Sequence, residues 1–165
     1  MNPRAGYKPL LNLENHKCFG CSPINPVGLK MKFYAKDESV FSWVTVSEHL
    51  CGWENLVHGG VIAAILDEIM SRTALYILKK FIMTKEIHVQ FLKPVPVEKE
   101  LMAQGTILQV NSQREATIEG LLFGEDNRLC AKATGSFALF SPSSLKKKAV
   151  MDQSRIDDLA RLIGE

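Results

Sequence analysis

The chain has 165 residues, enough for one domain with its own hydrophobic core. Its 46% hydrophobic and 23% charged residues are those of an ordinary globular protein, and its net charge of +2 is scattered, which argues against nucleic acid as a partner. No run approaches the ~20 apolar residues of a membrane span, and MNPRAGYKPLLNLENHK lacks the apolar core of a signal peptide; the expectation is a cytoplasmic protein, not membrane-bound, with Cys18, Cys21, Cys51 and Cys130 reduced.

Residues 1–26 are rich in Asn, Pro and Gly and show no period, so they read as an extension packed on a domain spanning 27–142. From Gly28, Leu29, Met31 and Phe33 alternate with Lys30, Lys32 and Tyr34 as in a half-buried strand. Val40 to Ser47 is a second strand, and the loop HLCGWENLV leads into LVHGGVIAAILDEIMSRTAL, one long apolar helix. Period two returns in EIHVQFL, which stops at Pro94-Val95-Pro96. Three further strands follow in LMAQGTILQV, EATIEGLLF and RLCAKATGSFALF, the last two joined by the turn signal Gly124 to Asn127. Ser141-Pro142-Ser143-Ser144 reads as the end of the packed domain, leaving 143–165 as a tail. Lys146 to Lys148 are expected in solvent there, followed by a short amphipathic helix capped by Ser154.

A helix apolar nearly all round must be wrapped by a sheet. The fold class is therefore α+β, a curved antiparallel sheet around one long central helix. Ile62, Leu66, Ile69, Thr73 and Ile77 form its sheet-facing stripe. Glu68 shares a side with Arg72 and reads as a solvated or ion-paired carboxylate. Asp67 is less easily explained, since its helical neighbours are Ala63, Ala74 and Leu78 and nothing obvious restores its lost hydration. It is either bonded to a loop or part of a site.

His58-Gly59-Gly60 stands at the helix mouth, where N–H groups are unpaired and the dipole is positive. Two glycines let a ligand reach that backbone, which suits a carbonyl oxygen gaining negative charge. His58 and Asp67 are about 13.5 Å apart along a helix rising 1.5 Å per residue, too far to flank one carbon. If both serve one site, a second copy of the chain completes it.

Four blocks, CFGC at 18–21, NPVGLKMKF at 25–33, VHGGVIAAILDE at 57–68 and TKEIHVQFLKPVPV at 84–97, give residues 18–140 a resemblance to hot-dog-fold acyl-CoA thioesterases, specifically the phenylacetate-pathway (PaaI-like) branch. The resemblance implies a homodimer or a dimer of dimers acting on acyl-CoA without a cofactor. It implies Asp67 as general base or nucleophile, with Thr84 positioning the attacking water. Gly59 would polarise the thioester carbonyl through its N–H from the opposite subunit, with His58 fixing the turn or the substrate. Gly60 belongs to the same oxyanion mouth. The pantetheine arm would follow the strand of Phe91 and Lys93, with Lys93 or Arg114 meeting the CoA phosphates. Some relatives carry an Asn six residues before the His; here Gly52 stands there, and Asn55 is the only nearby amide.

Thioester hydrolysis fits such a site, because a thiolate leaves without a strong general acid. Two alternatives share the fold: a non-catalytic acyl-CoA-binding or sensing domain, and a hydratase or dehydratase using His58 and Asp67 together. Cys18 and Cys21 supply half of a zinc site with no second pair to complete it, so no metal is expected and the thiols read as small packing groups. His88 reads as an outward strand residue, and Trp53 as an interface anchor or the wall of an acyl pocket.

Overall fold

The computed structural model describes residues 4–148 and 152–164. Seven strands form one antiparallel sheet: β1 (Lys8–Pro9), β2 (Phe33–Lys36), β3 (Ser39–Thr45), β4 (Phe81–Phe91), β5 (Glu100–Ser112), β6 (Glu115–Phe123) and β7 (Leu129–Phe140), in the spatial order β1-β2-β3-β5-β6-β7-β4. Helix α1 (Gly59–Thr73) continues through a π-helical turn, Ala74–Leu78, and packs against the sheet as its central helix. This is the hot-dog fold. No helix among the described residues is long and apolar enough to cross a membrane.

Ile62, Leu66, Ile69 and Thr73 are all buried, as the helical period requires, whereas Ile77 is only half-buried where the π turn shifts the phase. Ala74 leaves the face of Asp67 and enters the core. The turn ends at Lys79, whose φ of 54° reverses the chain into β4.

The helix lies close to the sheet because the strands beneath it lack side chains. Gly105 and Gly120 are direct partners across β5 and β6. A Cβ on Gly105 would stand 2.1 Å from Thr73 Oγ1 and 2.9 Å from the Ile69 carbonyl oxygen; one on Gly120 would stand 3.3 Å from the Leu66 carbonyl oxygen. Ala103, Ala131 and Ala133, all buried, extend this small-residue floor. The deeper groove between is filled by Leu66, Ile69, Met70, Ile118 and Leu122, which set the core.

Three expectations need correction. The strand expected from Gly28 begins only at Phe33, because Lys30 takes φ 53°. Leu29 and Met31 are still buried, since their N–H groups bond the Phe19 and Gly20 carbonyls of the CFGC turn (2.8 and 2.9 Å) rather than a neighbouring strand. Ser141-Pro142 starts helix α2 (Pro142–Lys148) instead of ending the packed region: Ser141 Oγ accepts from Ser144 N–H (3.2 Å) and Pro142 occupies the first turn. The Lys146–Lys148 run thus belongs to a helix. Ser154 does not cap the last helix, α3 (Gln153–Ile163), which begins one residue earlier after Asp152. Leu145 of α2 and Ile156 of α3 close a second small core over Phe81.

Adding one methyl beneath α1 has no space to relax into. Gly105→Ala should lower stability by about 1–3 kcal/mol, the usual range for overpacking. Gly164→Ala, where a Cβ meets nothing nearer than 3.5 Å, should leave the urea midpoint close to wild type.

Candidate active site

Asp67 lies near the middle of α1 on a half-buried face turned toward β4. Thr84 Oγ1 donates to Asp67 Oδ1 at 2.7 Å. A β-bulge between Thr84 and Glu86 breaks the register of β4 with β7 at this point, an irregularity that re-aims side chains. The Asp67 side chain is therefore bonded to a hydroxyl from another element, one of the two readings the sequence left open being modified: the partner is a side chain and not a loop backbone.

The helix mouth is built differently from the expectation in one respect. His58 is the N-cap, with extended backbone, and its Nδ1 accepts from Gly60 N–H at 2.9 Å. That hydrogen bond uses the Gly60 donor, so Gly60 does not add a second free N–H to the mouth. A Cβ on Gly60 would stand 3.1 Å from His58 Nδ1, which is why glycine permits the cap. His58 fixes the turn. Gly59, at the first helical position, has no acceptor for its N–H among the described residues.

Gly59 also borders a cavity of about 330 Å³ lined by Trp53, Ile62, Phe91, Lys93 and Val95 among others. Four residues singled out in the sequence thus meet here: Trp53, Gly59, Phe91 and Lys93. The Phe91 ring, 57% exposed, stands 3.5 Å from where a Gly59 Cβ would be. Asn55 lies outside the cavity lining; it takes φ 63° in the preceding turn, where its carbonyl accepts from Val97 N–H (3.0 Å). Gly52 packs on His58, and a Cβ there would stand 3.2 Å from His58 Cα, so this loop has no room for the Asn of some relatives without shifting. Arg114 is exposed in the β5–β6 turn, and its carbonyl accepts from Leu139 N–H beside the Thr84 end of β4. Lys93 and Arg114 therefore stand at opposite ends of that strand. His88 is exposed, as expected for an outward strand residue.

The one clear surprise is Glu68. It is not a solvated carboxylate: Cys18 Sγ lies 3.6 and 3.8 Å from its two oxygens, and Cys21 joins them. Burial, then the charge of Cys18, pushes Glu68 up to about 7. Hydrogen bonding from Cys21 is the largest influence bringing Cys18 down to about 5, and the same bond with burial drives Cys21 far upward. Cys51 is exposed elsewhere, in the loop before α1. Sequence spacing marked the two thiols but not the carboxylate, because the loop that carries them is held there by tertiary hydrogen bonds.

Residues 54–131, from the loop before α1 to the start of β7, match the family model of the thioesterase superfamily. That stretch, just under half of the chain, is similar to the thioesterase superfamily. Among solved structures, the thioesterase superfamily protein RHA08564 is 26% identical with a TM-score of 0.65; the match covers 70% of this chain and 57% of that one, so this chain spans little more than half its length. A hypothetical thioesterase from Streptococcus pneumoniae TIGR4, solved with coenzyme A, shares 17% identity at TM-score 0.59, covering 63% and 82% of the two chains. The smu.793 protein of Streptococcus mutans UA159, bound to acetyl-CoA, shares 15% at TM-score 0.62, covering 67% and 89%. At such identities the last two show a shared fold. No curated protein matches the sequence.

The His58 cap has a simple energetic signature. His58→Ala should cost about 1 kcal/mol of stability, as loss of an N-cap does, read as a lower urea midpoint with an unchanged slope.

Proposed function

We propose that the protein is an acyl-CoA thioesterase of the PaaI-like kind, with each active site shared between two subunits. The observation that carries this reading is the 2.7 Å hydrogen bond between Thr84 and Asp67, a carboxylate placed mid-helix with a hydroxyl beside it. Asp67 acts on the thioester carbon as general base toward water, or as the nucleophile itself, and Thr84 holds the attacking oxygen at the carboxylate. The carbonyl oxygen is received by Gly59 N–H of the other subunit, at the positive end of its α1. The thiolate of CoA then leaves.

Strand β4 supplies the reason for a second subunit. It is the last strand of the sheet, 11 residues long, and one of its edges is unpaired among the described residues. Such an edge is a template for another strand. Thr84 lies near one end of β4 and Phe91, beside Gly59, at the other. A two-fold axis at His88, three ladder positions from either residue once the bulge is counted, pairs β4 with its copy and sets Thr84 of one chain opposite Phe91 of the other. That arrangement brings Asp67 toward the partner's Gly59, which about 12 Å of intervening helix forbids within one chain. The same pairing carries Arg114 toward the partner's Lys93, where together they bind the phosphates of CoA. Trp53 and Phe91 then flank the pantetheine arm, with Asn55 at the rim.

Thiol release from a panel of short, long and aromatic acyl-CoAs tests the reading. Asp67→Ala should lower kcat by about 10²–10⁴-fold, the range of a lost general base, with the fold unchanged by circular dichroism. Turnover equal to wild type would overturn the assignment, and tight CoA-ester binding without turnover in wild type would favour the sensing domain.

Gly59→Pro removes the N–H and adds a ring at the helix mouth, and the backbone tolerates it because proline suits the first helical position after an extended residue. It should lower kcat by about 10²–10³-fold. Refolding an equal mixture of Asp67→Ala and Gly59→Pro chains should restore activity to about a quarter of wild type, because half of the two-fold dimers are mixed and each has one intact site. No recovery would mean that each site lies within a single chain.

A further inference from the structure

The CFGC turn is held in place by a set of backbone and side-chain hydrogen bonds. Ser22 N–H bonds the Cys18 carbonyl (3.2 Å), and the Phe19 and Gly20 carbonyls accept from Leu29 and Met31. Asn12 Nδ2 donates to the Cys21 carbonyl (2.9 Å), and Asn25 Nδ2 to that of Lys17 (3.1 Å). The fully buried Ser22 uses its hydroxyl three ways: it donates to the His16 carbonyl and accepts from Ile24 and Asn25 N–H. All this holds two thiols against one carboxylate of α1. The ligand atoms of Cys18, Cys21 and Glu68 lie within 4.8 Å of one another. Gly20 makes the approach possible, because a Cβ there would stand 2.4 Å from both Glu68 Cδ and Oε2.

We propose that Cys18, Cys21 and Glu68 are three ligands of a zinc site whose fourth position faces the neighbouring cavity. Ordinary zinc bond lengths to sulfur and carboxylate oxygen, at a tetrahedral angle, put those two ligand atoms about 3.6 Å apart. The observed separations from Cys18 Sγ are 3.6 and 3.8 Å. Hydrogen bonds among the two thiols and Glu68 hold the same three groups together without the ion, and a bound metal would replace them. Two sulfurs and one oxygen select zinc over magnesium or calcium, which take all-oxygen shells.

The fourth position opens toward a cavity of about 500 Å³ bounded by the three ligands, His16, Arg72 and Arg155 among others. His16 Nδ1 accepts from Cys18 N–H (3.3 Å), so its proton is on Nε2. That Nε2 is buried and has no hydrogen-bond partner among the described residues. It is a donor for a water or an anion on the metal and not a ligand itself. Binding releases to solvent whatever protons the three groups still carry and leaves zinc with three anionic ligands, a net single negative charge beside the cavity's arginines. The ion staples residues 16–31 to α1 one residue from Asp67, whatever reaction Asp67 serves.

The test uses the full-length, untagged chain, reduced and stripped of metal. Cobalt(II) titration should give a thiolate-to-cobalt charge-transfer band and tetrahedral visible bands saturating at one ion per chain, and zinc should displace it. Glu68→Gln should weaken zinc about tenfold or more against a chromophoric chelator, since even second-shell changes cost that much. Cys18→Ser and Cys21→Ser should each lose most of the charge-transfer intensity. Folded wild-type protein with no such band overturns the proposal without reference to any variant. So does zinc affinity undiminished in the Cys18→Ser/Cys21→Ser double variant. Thioester hydrolysis is not a readout, so failure here and failure of the thioesterase reading are separate results.

Discussion

The close seating of α1 on the sheet is the constraint from which the rest follows. Thr73, Ile69 and Leu66 present backbone and short side chains to Gly105 and Gly120, and no Cβ intervenes. A helix lowered onto the strands in this way buries one stripe completely and leaves the opposite stripe at the level of the sheet's own edge. Asp67 sits on that raised stripe, level with β4, which is why a hydroxyl on β4 can reach it at 2.7 Å. A bulkier floor would lift the helix and break that contact first. Packing and chemistry are in this sense one requirement, since close-packed interiors transmit small displacements rather than absorb them.

The two ends of β4 divide the chemistry between a carboxylate and a donor. At the Thr84 end the acceptor charge of Asp67 is available; at the Phe91 end the free Gly59 N–H and the helix dipole favour a developing anion. Neither end holds both. In the proposed reading this leaves the candidate site incomplete within one chain, and the edge of β4 is the element through which a second chain would supply the other half. His58 contributes by occupation: it takes up the Gly60 N–H, so that one donor and not two is left facing the cavity.

Local period and turn chemistry carried most of the fold. The alternation in the five long strands and the buried stripe of α1 are written in contiguous residues, and such signals survive folding because they are the packing pattern itself. What was lost came from longer range. Leu29 and Met31 have a strand's burial without a strand, since Lys30 turns left-handed and their partners are carbonyls of the CFGC turn. The start of α2 was legible in Ser141-Pro142, a cap followed by a first-turn proline, but the same letters also punctuate a loop. In the candidate site, Asp67, Gly59 and Thr84 stood out because each breaks a local rule for its position. Glu68 did not: an acidic residue four before an arginine is an ordinary helix pair, and only the N-terminal loop, folded back over α1, changes its surroundings.

Two adjacent carboxylates in the middle of an apolar helix now have separate explanations. Successive helical residues point about 100° apart, so Asp67 and Glu68 leave α1 toward different elements. Asp67 meets a hydroxyl on the sheet edge; Glu68 meets two thiols on the N-terminal loop. Each is tolerated there because a polar partner replaces lost hydration, which a buried charge requires. The pairing also couples the N-terminal segment to the sheet edge through α1. Both grip the same turn of α1 from two sides, and a shift of the CFGC loop against Glu68 would rotate Asp67 with it. Residues 16–31 lie far from Thr84 in sequence, yet through one helical turn they help to set the geometry at which Thr84 meets Asp67.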